Sequence, residues 1–311
     1  MQATVARSVD FRGVGLHSGA PARLVVQPAP ARHGISFRRT DLPGKPEVPA
    51  LWDRVTDTRL NTRLQEGEAS VSTVEHVMAA LAGCGIHNAR LDLDGPEVPI
   101  LDGSAAPFVA GLTAAGLRRQ PVPLQVIRVL QDVEVREGEA WARLSPDERF
   151  EIDFAIDFAD AAIGRQRKRL DMANGAFLSE LADSRTFCRQ SDVAAMQRAG
   201  LALGGTYFNA VVVDGARILS PGGLRHPDEA VRHKMLDAMG DLALAGAPLL
   251  ARYSASRGGH ALTNRLLRKL FATPGAHAVT ATTPALAARL PGAGMLAGGR
   301  SSVAAQALAA L

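Results

Sequence analysis

The sequence predicts an α+β fold in two domains, on three observations. At 311 residues the chain is longer than one hydrophobic core usually serves. Strand-like alternation opens each half and helical periodicity follows, unlike the regular strand–helix alternation of a parallel sheet. The stretch "LRRQPVPLQ" (Leu117 to Gln125) sets two prolines and a charge cluster directly after a helical segment, which marks a boundary. The expected units are therefore 1–120, 125–280, and an Ala/Pro/Gly-rich, weakly ordered tail over 281–311.

In the first unit, "TVARSVDF", "ARLVVQP" and "GISFRRTD" alternate between Gly and Pro punctuation and read as antiparallel strands. A helix is expected from about Ser72 through "SVSTVEHVMAALAGCG". "NARLDLDG" is a strand and "SAAPFVAGLTAAG" a second helix. In the second unit "VIRVLQDVEVREG", "AWARLSP" and "RFEIDFAIDF" read as strands. "NGAFLSELADS" and "DVAAMQRAG" read as helices, and "NAVVVDG" as a strand. The longest helix is "VRHKMLDAMGDLALAG", followed by the strand "LLARYSAS" and a helix opening at or just after His260.

Composition excludes several classes. A net charge of +4 with 47% hydrophobic residues describes a folded chain without a long basic stripe, so no nucleic-acid partner is expected. The patch "GRQRKRL" (Gly164 to Leu170) is basic enough to meet a phosphate. Cys84 and Cys188 show neither a disulfide framework nor CxxC spacing. "MQATVARSVDFRGVGLHSG" lacks the apolar core of a signal peptide, and no run is long enough to cross a bilayer. The expected location is the cytoplasm.

The chemistry begins on the longest helix. His233, Asp237 and Asp241 recur every four residues and so stack along one stripe. Imidazole and carboxylate at i, i+4 suit a zinc ion, and equally a surface His–Asp pair. In "STVEH", Ser72 and Glu75 fit a capping box, with Glu75 at the third helical position. The Glu75–His76 dipeptide also fits a metal hydrolase, one side chain binding the ion and its neighbour acting on water. No histidine follows at the HExxH spacing, which excludes that protease motif. His260 follows two glycines at a helix start, where a polar residue is ordinary. His17 and His87 read as turn histidines.

Together, "GVGLHSG", "STVEHVMAALAGCGIHNARLDLDGPEVPILDGSAAPFV", "SRTF", "GLALGG", "DEAVRHKMLDAMGDLALAG" and "GGHALTNRLL" closely resemble the UDP-3-O-acyl-N-acetylglucosamine deacetylase family of lipid A biosynthesis. The resemblance implies two domains, each a sheet layered on helices, packed face to face with the active site between them. It implies zinc, one ion per chain, on His76, His233 and Asp237, a set that iron(II) also suits. It implies Glu75 as general base and His260, oriented by Asp241, as general acid, with the Thr186 hydroxyl holding the oxyanion. Lys234, Phe158 and Phe187 are implied substrate contacts: the lysine for phosphate, Phe158 for uridine. The substrate would be a UDP-linked acylated glucosamine, its acyl chain passing an inserted βαβ unit at about 186–215. Arg189 and Gln190 stand there where the family often has apolar residues, which leaves acyl length open. His87 replaces a usual Asp and reads as a surface change. The apolar tail "SSVAAQALAAL" would be the target of an ATP-dependent protease.

Overall fold

A computed structural model of the chain describes residues 1–173 and 175–295. It is built from α-helices and mostly antiparallel sheets, the α+β class expected. In the first half a five-stranded sheet runs in the order Val9–Val14, Pro21–Pro28, Ala89–Leu93, Ile35–Arg39, Glu47–Pro49. Alternation produces its two faces: Ala22, Leu24 and Val26 are buried while Pro21 and Arg23 face water. Helices α1 (Glu75–Gly83) and α2 (Ala106–Ala115) pack against each other, and α2 lies against Val9–Val14.

The second half is organised around Leu249–Ser256, which pairs antiparallel with Ala140–Pro146 and parallel with Phe150–Asp157. Gln125–Val129 joins it, and His277–Ala281 extends the sheet antiparallel to Gln125–Val129. That last strand carried no clear turn or alternation signal. The small α3 (Gln190–Arg198) connects Phe187–Arg189 to Val211–Asp214, which pair in parallel. Helices α4 (Glu229–Ala243) and α5 (His260–Ala272) pack on each other and on the seven-stranded sheet.

The most extensive helix–helix contact in the molecule is between α1 and α4, one from each half. Its closeness depends on Gly240, where an added Cβ would strike the carbonyl oxygen and carbon of Glu75. Small side chains let two helix backbones approach this way.

Leu117–Gln120, at the start of the stretch read as a boundary, is a strand paired with Gln2–Val5. Several local expectations are corrected. The capping box does not form: α1 begins at Glu75 after Val74, with no side-chain cap, and Ser72 sits in a bridge opposite Glu97. Thr73 takes a positive φ of 59° just before the helix, which turns Ser72 away from its end. His87 is not on the surface. It is half-buried, its Nδ1 accepts the Ala3 N–H at 3.1 Å, and burial together with the N-terminal amine lowers its pKa to about 4.

The basic patch is also not free for a phosphate. Arg165–Asp171 is an edge strand against Phe150–Asp157, where Arg165 pairs with Asp157, Arg167 with Asp153 and Arg169 with Glu151. Lys168 points the other way, to Glu180 and Asp228. The first part of the expected weak tail is packed. A short helix α6 (Pro284–Ala287) is capped by Thr283, and Leu290 is buried among Leu124, Val126 and Leu250. "SSVAAQALAAL" lies outside the described residues.

A Gly240→Ala substitution is expected to force the two helices apart at the site. It should cost about 1–3 kcal/mol, seen as a lower melting temperature, with bound metal falling in the same protein.

Candidate metal centre and active site

The α1–α4 seam brings His76 to His233 and Asp237. His233 Nε2 lies 3.3 Å from Asp237 Oδ1, and His76 Nε2 lies 3.6 Å from the same oxygen. The two imidazole rings stand edge-to-face with centroids 5.1 Å apart. All three residues are buried, and one ligand atom from each falls within 4.8 Å of the other two. The stripe on the longest helix therefore faces the protein interior and not water.

The donor set fits a metal ion. Asp237 Oδ1 is buried without any hydrogen-bond partner, while Oδ2 accepts from Lys234 Nζ at 2.8 Å. His233 Nδ1 is bonded to the carbonyl of Ser184 at 3.0 Å. Donation to that carbonyl places the proton on Nδ1 and leaves Nε2 as a free lone pair, the usual outer support of a metal-binding histidine. Burial, and to a smaller extent His76 and Lys234, lower the His233 pKa to about 4 against the pull of Asp237. The ring is thus neutral and ready to ligate. Burial works against ionisation of Asp237, yet His233, Lys234 and His76 outweigh it and hold its carboxyl well below the usual range.

Two titratable groups flank this cluster. Glu75 is buried, and that burial raises its pKa despite His260 and His76 nearby. Its Oε2 accepts the backbone N–H of Thr62 at 3.0 Å. His260 Nδ1 meets Asp241 Oδ2 at 2.7 Å, and its Nε2 lies 3.9 Å from Glu75 Oε1 and 4.0 Å from Asp237 Oδ2. Burial alone would lower the His260 pKa, but Asp241, Glu75 and Asp237 together raise it to about 9. At neutral pH the His260 imidazole therefore keeps its second proton. The Thr62 hydroxyl donates to the second oxygen of Asp241 at 2.6 Å.

Thr186 lies on the segment that braces His233. Its N–H donates to Gly103 and its carbonyl accepts from Val211, each at 2.8 Å. Beside it, Arg185 is buried in a pair with Glu229 and also donates its backbone N–H to that carboxylate. Phe187 stands edge-to-face to His233 at 6.3 Å and to Phe158 at 5.3 Å, so Phe187 adjoins the cluster and Phe158 lies behind it. Lys234 is half-buried on Asp237, and burial is outweighed by Asp237, Asp241 and Glu75 so that its pKa is raised. Arg189 is held by Asp160 at 2.6 Å.

The sequence marks His17 only as a turn histidine. It is buried, its backbone N–H and that of Ser18 donate to Glu97, and its Nδ1 accepts weakly from Ala202 N–H at 3.4 Å. Its Nε2 is buried and without a partner. Burial lowers its pKa, with His260 adding to the effect and Glu97 opposing it. The glycines around "GVGLHSG" were the available signal: a Cβ at Gly15 would strike Glu97, so the loop folds tightly over that carboxylate.

The profile of the LpxC family, UDP-3-O-acyl N-acetylglycosamine deacetylase, matches residues 2–272. The chain belongs to this family. Proteins named UDP-3-O-acyl-N-acetylglucosamine deacetylase are similar along nearly their whole length. The one from Anaeromyxobacter sp. (strain Fw109-5) is 52% identical over 282 residues, 91% of this chain and 92% of its own. That of Myxococcus xanthus (strain DK1622) is 46% identical over 294 residues, 94% and 93% of the two chains. That of Acidithiobacillus ferrooxidans (strain ATCC 53993 / BNL-5-31) is 46% identical over 272 residues, 87% and 90%. The deacetylase family is one of metalloenzymes, and the match spans His76, His233 and Asp237.

Asp237→Ala should lower metal affinity by more than the roughly 10–100-fold that loss of an outer support costs, measured by equilibrium dialysis against a zinc buffer. Arg185→Met, which frees the Ser184 segment, should lie within that range.

Proposed function

We propose that the protein is a zinc-dependent hydrolase that removes the N-acetyl group of UDP-3-O-(3-hydroxyacyl)-N-acetylglucosamine. The products are acetate and a free amine on the sugar, and the reaction is the committed step of lipid A biosynthesis. One arrangement carries the reading: three buried ligand atoms, with an ionisable carboxylate and an Asp-backed imidazole beside them, in a chain of the deacetylase family.

His76, His233 and Asp237 would hold the ion. When bound it supplies Lewis acidity, polarising a carbonyl and lowering the pKa of water. Glu75, its pKa raised by burial, accepts the proton of the water whose oxygen attacks the acetamide carbon. His260, protonated and paired with Asp241, gives its Nε2 proton to the amide nitrogen as the C–N bond breaks. The amine leaves and acetate remains. The Thr186 hydroxyl is assigned to the oxyanion of the tetrahedral intermediate. Lys234 is assigned to substrate phosphate and Phe158 to the uridine, with Phe187 as a further substrate contact. Iron(II) would serve the same ligand set, since availability decides between such ions.

The proposed division places one unit over 1–120 and another over 125–280, with the βαβ insertion at 186–215 forming the acyl passage. Cytoplasmic action follows from a nucleotide-sugar substrate. Among the described residues no helix is long and apolar enough to cross a membrane. Control by an ATP-dependent protease through "SSVAAQALAAL" (301–311) is part of the proposal, and a ten-residue C-terminal deletion that leaves cellular half-life unchanged would dismiss it.

Acetate release from UDP-3-O-(3-hydroxymyristoyl)-N-acetylglucosamine tests the reaction. Glu75→Ala should lose about 10²–10⁴ in turnover while metal content stays near one per chain. Metal without turnover in the wild type would move the substrate to another acylated nucleotide sugar. The profile of kcat/KM against pH should be a bell. It rises as Glu75 ionises, above the ordinary carboxylate range, and falls as His260 loses its proton near pH 9. Asp241→Asn removes a group that raises the His260 pKa, so the alkaline limb should move to lower pH.

A further inference from the structure

Thr62 is buried at 1% exposure and belongs to neither helix of the site. It nevertheless touches both flanking groups. Its backbone N–H donates to Glu75 Oε2 at 3.0 Å, and its hydroxyl donates to Asp241 Oδ1 at 2.6 Å. Asp241 uses its other oxygen for His260 Nδ1 at 2.7 Å, and His260 Nε2 looks back at Glu75 Oε1 from 3.9 Å. The four residues form a ring, Thr62–Glu75–His260–Asp241, of three hydrogen bonds and one 3.9 Å approach between His260 and Glu75; Thr62 holds one oxygen of each carboxylate and the other faces the imidazole.

We propose that Thr62 is a positioning residue that couples the general base to the general acid of this reaction. The inference rests on the roles given above to Glu75 and His260, and adds what fixes them relative to each other. A threonine hydroxyl has a single proton, and here it is spent on Asp241. That bond fixes the rotation of the Asp241 carboxylate, and through it the plane of the His260 ring. The same residue's N–H fixes the rotation of Glu75, leaving Oε1 as the oxygen presented to the reacting water. One rigid, β-branched side chain and its own backbone therefore set both groups in one frame.

Thr62 is itself held from outside this ring. Its carbonyl accepts the Val74 N–H at 3.4 Å, one residue before α1. Asn61 Nδ2 donates to Thr73 Oγ1 at 3.2 Å, and Thr73 Oγ1 donates to Glu97 at 2.9 Å. The turn that carries Thr62 is thus fastened to the segment that launches Glu75. Apart from Thr62 Oγ1, no other donor among the described residues reaches Asp241 Oδ1, so losing the hydroxyl leaves a buried carboxylate oxygen unpaired.

The test uses the zinc-loaded full chain. Thr62→Val keeps the shape and the N–H but removes the hydroxyl, and Thr62→Ser keeps both. Thr62→Val should lose about tenfold or more in kcat, with KM and metal content near wild type, and Thr62→Ser should recover most of the rate. In an Asp241→Asn background the valine should add little further loss. Proton NMR gives a readout apart from turnover: the downfield Nδ1–H resonance of His260 should be present in wild type and Thr62→Ser and shifted upfield or lost in Thr62→Val. Thr62→Ala removes the same hydroxyl and should behave alike if the valine protein folds poorly. Wild-type kcat in Thr62→Val or Thr62→Ala, losses that simply add to Asp241→Asn, or an unmoved resonance would each overturn the coupling. Glu75→Gln and His260→Gln run beside them as controls. If those two keep turnover, the acid–base roles and the coupling fall together; if they lose it while Thr62→Val does not, only the coupling falls.

Discussion

The close passage of α4 across the start of α1 is the contact on which the site depends. Gly240 lets the backbone of one helix lie against the Glu75 peptide of the other. That sets the distance at which His76 meets two residues from a different half of the chain. Any bulk at that crossing would separate donor atoms that now share a few ångströms. Glu75, Asp237, Asp241 and His260 are buried there beside the half-buried Lys234, so opposite charges are gathered where water is scarce. Burial of that kind is costly unless every charge is answered. Asp237 Oδ1 is buried without a hydrogen-bond partner among the described residues, an oxygen left for an ion.

A second layer of order stands behind the cluster. The Arg185–Glu229 pair is itself buried and ties the segment at Ser184 to the first turn of α4. The Ser184 carbonyl then fixes the His233 ring, and Phe187 closes the side facing Phe158. A buried ion pair of this sort adds little net stability, yet it defines where a backbone carbonyl points. The precision of the candidate metal centre thus originates partly in the Arg185–Glu229 pair, which braces the segment carrying the Ser184 carbonyl.

The sequence displayed the parts of this site that follow local rules. His233, Asp237 and Asp241 follow helical periodicity, and the strands around Leu24 and Val26 follow a period of two. What stayed hidden comes from contacts between distant segments. Thr62 reaches Glu75 through a backbone N–H and Ser184 reaches His233 through a carbonyl, and main-chain groups look alike at every position. His17 gains its place from a fold over Glu97, eighty residues away in the chain. Ser72 and Glu75 had capping spacing, but the positive φ of Thr73 overrode it. "GRQRKRL" suggested a ligand because its acidic partners lie on another strand. The strand His277–Ala281 is ordered by its neighbour Gln125–Val129 more than by its own pattern.

The strand Arg165–Asp171 has a consequence beyond its ion pairs. Among the described residues it pairs only with Phe150–Asp157, so its other side is a sheet edge with unpaired main-chain groups. Such an edge invites strand addition by another molecule. Arg165, Arg167 and Arg169 alternate along it with Lys168 between them, and a second copy docking there would set cation against cation. The charge that looked like a binding patch acts, in this position, to keep the sheet from growing into its neighbours.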